Sequence, residues 1–184
     1  MRLGLLVTLL ALALAGCGSD AGPPSAAPRP AEKRAALAGS PPALRALHEQ
    51  SNRLLGGGAA AFRDRLGELR GHPVVVNKWA SWCGPCRSEF PFFQRLSTQL
   101  GKRVAFLGVN SNDNDSDARD FLRRYPVGYP SYTDPAQKVA SVFHGNLGFP
   151  TTAFYDARGR LSYVHQGGYA TEAKLREDIA RYAE

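Results

Sequence analysis

The chain holds little of what several functional classes depend on: three cysteines, four histidines and one methionine in 184 residues. So few cysteines exclude a disulfide-stapled framework, and the two that lie close together, Cys83 and Cys86, enclose too short a loop to staple a fold. The histidines, His48, His72, His144 and His165, are isolated from one another, so none supplies a recognisable metal-ligand spacing. A one-signed charge block is also missing. Lys plus Arg outnumber Asp plus Glu by 23 to 16, for a net charge of +7, but the basic residues are scattered. That distribution reads as a solvated surface, with weak attraction to anionic lipid as its functional rival. Neither a helix-turn-helix pattern nor an aromatic RNA-binding signature accompanies the charge, which argues against nucleic acid as a partner. No internal repeat is visible.

What is present begins with an apolar run, Leu3 to Leu14, preceded by Arg2 and too short to span a bilayer comfortably. This is the pattern of a secretory leader over residues 1–16. Leu14-Ala15-Gly16-Cys17 follows and resembles the bacterial lipobox, which implies that Cys17 is acylated and becomes the first residue of the mature chain. An ordinary cleaved signal with an incidental cysteine is the alternative. Acylation would occupy the Cys17 thiol and lipid-anchor the protein at the extracytoplasmic face of a bacterial membrane, in the periplasm or at the cell surface, because each buried CH₂ contributes about 0.8 kcal/mol. Residues 17–42 are expected to be a disordered tether, since Ser19 to Pro42 is rich in Ala, Pro, Gly and Ser and has almost no large apolar residue. Residues 43–184 remain for one domain with a single core.

Within that domain, apolar spacing predicts helices over Ala43 to Leu55 and Ala59 to Leu69, with Gly56-Gly57-Gly58 between them. Pro73 to Ala80 has the β-branched run of a strand buried on both faces. A helix is expected over Pro85 to Leu100, with Pro91 kinking it, then a buried strand over Val104 to Asn110. Helices over Asp115 to Tyr125 and Val139 to Phe143 follow. Thr151 to Tyr155 and Leu161 to His165 read as a hairpin turning at Asp156 to Gly159, and Glu172 to Tyr182 as a last helix capped by Thr171. The order implies an α/β fold with a mixed sheet covered by helices, whose chemistry belongs at the turn after the first long strand.

Trp82-Cys83-Gly84-Pro85-Cys86 stands at that turn. Cys83 precedes the first helical N–H groups, where the helix dipole and unpaired amides both favour a thiolate, and such placement brings a cysteine from about 8.5 down to about 7 or lower. Cys83 is thus the expected nucleophile and Cys86, one turn on, the resolving thiol. A Cys-x-x-Cys pair can also provide half of a zinc site, which would need two more ligands. A peroxidase on a similar fold would need a Thr-x-x-Cys signature that is missing. No cofactor and no metal are expected.

With these residues the sequence resembles thioredoxin-like proteins, and within them the membrane-associated TlpA/ResA type, over roughly Phe62 to Tyr182. The resemblance implies a thioredoxin-like fold with an inserted helix between Asn110 and Pro130 and an N-terminal helical extension. Phe149-Pro150-Thr151-Thr152 matches the segment in which the family places a cis-proline facing the cysteines. Pro150 is therefore expected to be cis, with Phe149, Pro150 and Thr151, together with Trp82, Gly84 and Pro85, contacting an extended substrate segment through its main chain. Asn77 stands where thioredoxin carries a buried Asp. Glu89 matches a Glu that the subtype places near the two thiols, where a carboxylate of raised pKa would accept the resolving thiol's proton; an exposed helix residue paired with an arginine is the alternative. Lys78 departs from the pattern, because a large apolar residue is usual there and a lysine inside a strand is costly unless its head is paired.

The resemblance implies exchange of disulfides with protein substrates bearing cysteine thiols or disulfides, a membrane electron donor of the CcdA type, and apocytochrome c or another oxidised envelope protein as acceptor. Gly-Pro between the cysteines is the pair of reducing thioredoxin, about −270 mV, unlike oxidising DsbA near −120 mV, and favours a reductase. An oxidase on the same motif, and a non-enzymatic lipoprotein binding module on the same scaffold, remain open.

Overall fold

The computed structural model describes residues 28–183. The expected leader, Cys17 and the first part of the expected tether lie outside those residues. The tether reading needs correction from residue 30 onward: Pro30–Leu37 is a helix, α1, started by a proline that has no amide to leave unpaired and packed on the later active-segment helix. Its sequence Pro-Ala-Glu-Lys-Arg-Ala-Ala-Leu is rich in helix formers, a propensity signal that the Ala and Pro composition concealed.

Pro42–Glu49 forms α2, burying Leu44 and Leu47. The expected continuation of this helix to Leu55 does not occur, because Asn52 adopts a left-handed backbone (φ 63°) and Leu54–Leu55 pairs as a short strand, β1. Gly58–Glu68 is α3, Val74–Trp79 is β2, Gly84–Leu100 is α4, Ala105–Ser111 is β3 and Asp115–Arg124 is α5. Ser131–Asp134 is a strand, β4, that apolar patterning did not announce. After a 3₁₀ turn at Ala140–Phe143 come β5 (Thr151–Tyr155), β6 (Leu161–Gln166) and α6 (Glu172–Tyr182). Thr171 caps α6 as expected, its side chain accepting the Lys174 N–H at 3.2 Å.

One six-stranded sheet runs in the order β1-β4-β3-β2-β5-β6. The β1/β4, β4/β3 and β3/β2 pairs are parallel, and the β2/β5 and β5/β6 pairs antiparallel, so the mixed sheet flanked by helices is present. β2 lies at the centre, and its period of two divides it between two cores. Val74 and Val76 join the cluster of Leu44, Leu47, Phe62, Leu107 and Phe143 on one face. Val75 and Trp79 join Phe90, Phe93, Phe121 and Leu175 on the other, and the cysteines belong to that second cluster. The alternation sends Asn77 towards α4 and Lys78 to the opposite face.

Candidate active site

β2 ends at Trp79, and a short turn carries the chain into α4, so the cysteines sit at the carboxyl edge of a central strand and the amino end of a helix. Cys83 is the N-cap of α4; its Sγ accepts the Cys86 N–H at 3.1 Å, and Pro85 occupies the first turn, where its missing N–H costs nothing. Cys83 and Cys86 form a disulfide with their Cα atoms 5.3 Å apart. Both residues are almost wholly buried.

The turn is held from one side by the loop after β3. Asp113 accepts the Ser81 N–H at 2.6 Å, the Ser81 hydroxyl at 2.8 Å and the Asn110 side-chain amide at 2.8 Å. Trp82 donates its indole N–H to the Asn112 carbonyl at 2.9 Å while remaining 54% exposed beside the disulfide. Asp113 was not read from the sequence as part of the site; its signal is an acidic residue in the Asn-Asp-Asn loop leaving the carboxyl end of a buried strand. Replacing Asp113 by alanine strands these donors, so Asp113→Ala is expected to lose about 2 kcal/mol in urea unfolding of the oxidised protein. A blue or red shift of Trp82 emission would report the released turn.

On the other side of the cysteines lies the Phe149–Pro150 peptide bond, which is cis. The Phe149 ring meets Trp82 edge-on with centroids 4.8 Å apart. A Cβ built on Gly168 would lie 3.5 Å from the Pro85 side chain and 3.7 Å from that of Pro150, so the active turn, the cis-proline and the turn after β6 converge. Thr151 is fully buried, its hydroxyl within 3.0 Å of the Gly148 carbonyl and 2.9 Å of Gln166 Oε1. Its side chain thus anchors the base of the loop. Gly84 at the start of α4 is exposed and open around its Cα.

Glu89 lies one helical turn after Cys86 on the α4 face that enters the core. It is fully buried, which removes the exposed, arginine-paired alternative. Oε1 accepts the Asn77 side-chain N–H at 2.9 Å and Oε2 accepts the Tyr169 backbone N–H at 3.0 Å. Burial pushes the carboxyl up to about 7, with the Tyr169 and Asn77 hydrogen bonds opposing the rise. Among the described residues, Asn77 Oδ1 has no hydrogen-bond partner. Tyr169, whose hydroxyl donates to the buried Asp178 carboxylate at 2.9 Å, reaches Glu89 only through the tertiary fold, and nothing local in Gly-Gly-Tyr marks it.

The Redoxin family profile matches residues 64–179, from α3 into α6. The chain belongs to the Redoxin family. ResA of Geobacillus kaustophilus, a thiol-disulfide oxidoreductase, is 30% identical over 122 residues, covering 65% of this chain and 66% of that protein. DsbE of Pseudomonas fluorescens biotype C, a thiol:disulfide interchange protein, is 33% identical over 115 residues, 61% of each chain. Among solved structures, a DsbF homologue from Corynebacterium diphtheriae is 30% identical with a TM-score of 0.53, covering 63% of this chain and 75% of that one. The chain spans just under two thirds of the length of the curated relatives it matches. The Redoxin match and these neighbours identify the fold as thioredoxin-like and the subtype as TlpA/ResA.

Proposed function

We propose that the protein is an extracytoplasmic thiol–disulfide oxidoreductase that exchanges disulfides with protein substrates through Cys83 and Cys86. The observation that carries this reading is the Cys83–Cys86 disulfide at the amino end of α4, in a turn whose Trp82 packs on Phe149 of the cis Phe149–Pro150 bond. The relatives named for the same exchange reaction support it.

In the reducing direction, the Cys83 thiolate attacks one sulfur of a substrate disulfide. The substrate S–S bond breaks, the leaving sulfur takes a proton, and a mixed disulfide joins Cys83 to the other substrate sulfur. Cys86 then gives its proton to the Glu89 carboxylate and attacks Cys83 Sγ, expelling the second substrate thiolate. Two electrons pass to the substrate, and the Cys83–Cys86 disulfide remains to be reduced by a membrane donor, in this reading of the CcdA type. The substrate segment docks in extended form along Phe149, with Trp82, Gly84, Pro85 and Pro150 around its cysteine. Gly-Pro between the cysteines favours the reductase over the oxidase, with apocytochrome c or another oxidised envelope protein as acceptor. Acylation of Cys17 would hold the domain at the membrane.

Cys86→Ser, reduced and then mixed with a disulfide-bearing peptide, is expected to retain the peptide on Cys83 as a stable adduct, read by mass spectrometry. No adduct under conditions where dithiothreitol reduces the peptide would reject the reading. Equilibration with glutathione should place the potential nearer about −270 mV than about −120 mV, and a value near the latter would favour the oxidase. A tagged fatty acid should label the full chain in cells but not Cys17→Ser.

A further inference from the structure

β2 carries a charged group for which the exchange reaction has no use. Lys78 has no exposed surface, and Val74 and Val76, which share its face of the strand, lie in an apolar cluster. An ammonium in such a place is costly unless each of its three N–H donors finds an acceptor. All three do. Nζ lies 2.6 Å from the Gly145 carbonyl, 2.9 Å from the Gly148 carbonyl and 3.0 Å from Gln137 Oε1. It also sits 3.7 Å from the centroid of the Phe149 ring, near enough for cation–π attraction.

Three of these four contacts fall within one loop, residues 145–149, which leads directly into the cis Phe149–Pro150 bond beside the disulfide. The loop is compact against its surroundings: a Cβ on Gly145 would come within 2.2 Å of the Phe143 ring, and the Gly145 N–H donates to the Ala140 carbonyl at 2.8 Å. Its outer side presents Leu147, 82% exposed. Lysine therefore turns two loop carbonyls inward and seats the Phe149 ring, which in turn packs on Trp82. An apolar residue at position 78 would leave the Gly145 carbonyl buried and unpaired. Burial lowers the Lys78 pKa to about 8, with the Asp134 carboxylate opposing, so at neutral pH the ammonium keeps all three donors.

We propose that Lys78 is a positioning residue for substrate: through Gly145, Gly148 and Phe149 it fixes the loop on which the partner's cysteine-bearing segment docks. It governs docking and leaves the sulfur chemistry unchanged. This rests on the oxidoreductase reading above.

The test compares full-length wild type, Lys78→Met and Gln137→Ala, each reduced and mixed with increasing concentrations of a disulfide-bearing peptide in a stopped-flow instrument. For Lys78→Met the half-saturating peptide concentration should rise by about tenfold or more, while the limiting rate stays within about twofold. Reduction of its Cys83–Cys86 disulfide by dithiothreitol should likewise stay within about twofold, because that small reagent needs no docking loop. Amide hydrogen exchange at residues 145–149 should accelerate by about tenfold or more. Gln137→Ala, which removes one acceptor and spares the core, should raise half-saturation by about two- to threefold and decides the matter if Lys78→Met does not fold. Unchanged half-saturation in the folded variants, or a fall in limiting rate and dithiothreitol rate in its place, overturns the proposal alone. A wild-type protein that fails to react with the peptide overturns the oxidoreductase reading and this proposal with it.

Discussion

Substituting Cys83 by serine is expected to reduce catalysed reduction of insulin to the rate set by dithiothreitol alone, a fall of about a thousandfold. Two effects combine. At neutral pH the N-terminus of α4 favours the thiolate of Cys83 over that of a free cysteine, of which only a few per cent is ionised, an effect of roughly tenfold. The remainder comes from holding the resolving thiol against the mixed disulfide, since effective molarities of about 10⁵ M attend well-oriented intramolecular steps. The serine hydroxyl keeps the N-cap interaction that the Cys83 sulfur makes with the Cys86 N–H, so the fold should survive and the loss should be chemical. Unchanged thermal unfolding of the reduced variant beside lost turnover would separate the two. Retained turnover would leave the protein a binding module on this scaffold.

The second large effect concerns Glu89. In the oxidised protein its carboxyl titrates near 7, because burial outweighs the hydrogen bonds from Tyr169 and Asn77, whereas in the unfolded chain it titrates near 4.5. Between those values the folded state binds more protons than the unfolded state, so stability falls as pH rises through the window and levels off above it. The loss across the window is at most about 3 kcal/mol. Glu89→Gln should abolish that slope in urea unfolding at successive pH values. Glutamine fits the site: its oxygen can accept from Tyr169, and its amide can donate to the Asn77 oxygen that now lacks a partner. The same variant loses its base, so resolution of the mixed disulfide should slow by about a hundredfold, and the inflection near pH 7 in that rate should disappear. A wild-type profile flat between pH 5 and 8 would remove Glu89 from the proton path.

The parts of the molecule legible from sequence are those whose pattern is local. The β-branched run of β2, the 3.6-residue spacing of Phe90, Phe93 and Leu96 in α4, the turn between β5 and β6, and the Thr171 cap all declare themselves within a few residues. The Cys83-to-Cys86 motif does so as well, since a single dipeptide spacing places both sulfurs on one helical turn. β1 and β4 escaped because their pairing is tertiary: Leu54–Leu55 is two residues long, and Ser-Tyr-Thr-Asp has no apolar run, yet Leu54 pairs with Ser131, 77 positions later in the chain. α1 escaped because its alanines read as tether composition.

The candidate site divides in the same way. Position along α4 gave Glu89 its neighbourhood to Cys86, but only packing tells a buried carboxyl from an exposed one, and the Tyr169 amide that binds it comes from 80 residues away. Lys78 looked like a conflict in the strand pattern. The conflict is resolved by three acceptors, two of them backbone carbonyls of a loop about 70 residues later, which no side-chain pattern can encode.

In the proposed exchange Cys83, at the mouth of α4, is the ionised sulfur that attacks. Limited alkylation of the fully reduced protein at pH 7 with substoichiometric iodoacetamide, followed by peptide mapping, tests it most directly. Label should accumulate on Cys83 at least about tenfold faster than on Cys86. Equal labelling of the two, or label arriving first on Cys86, would contradict it.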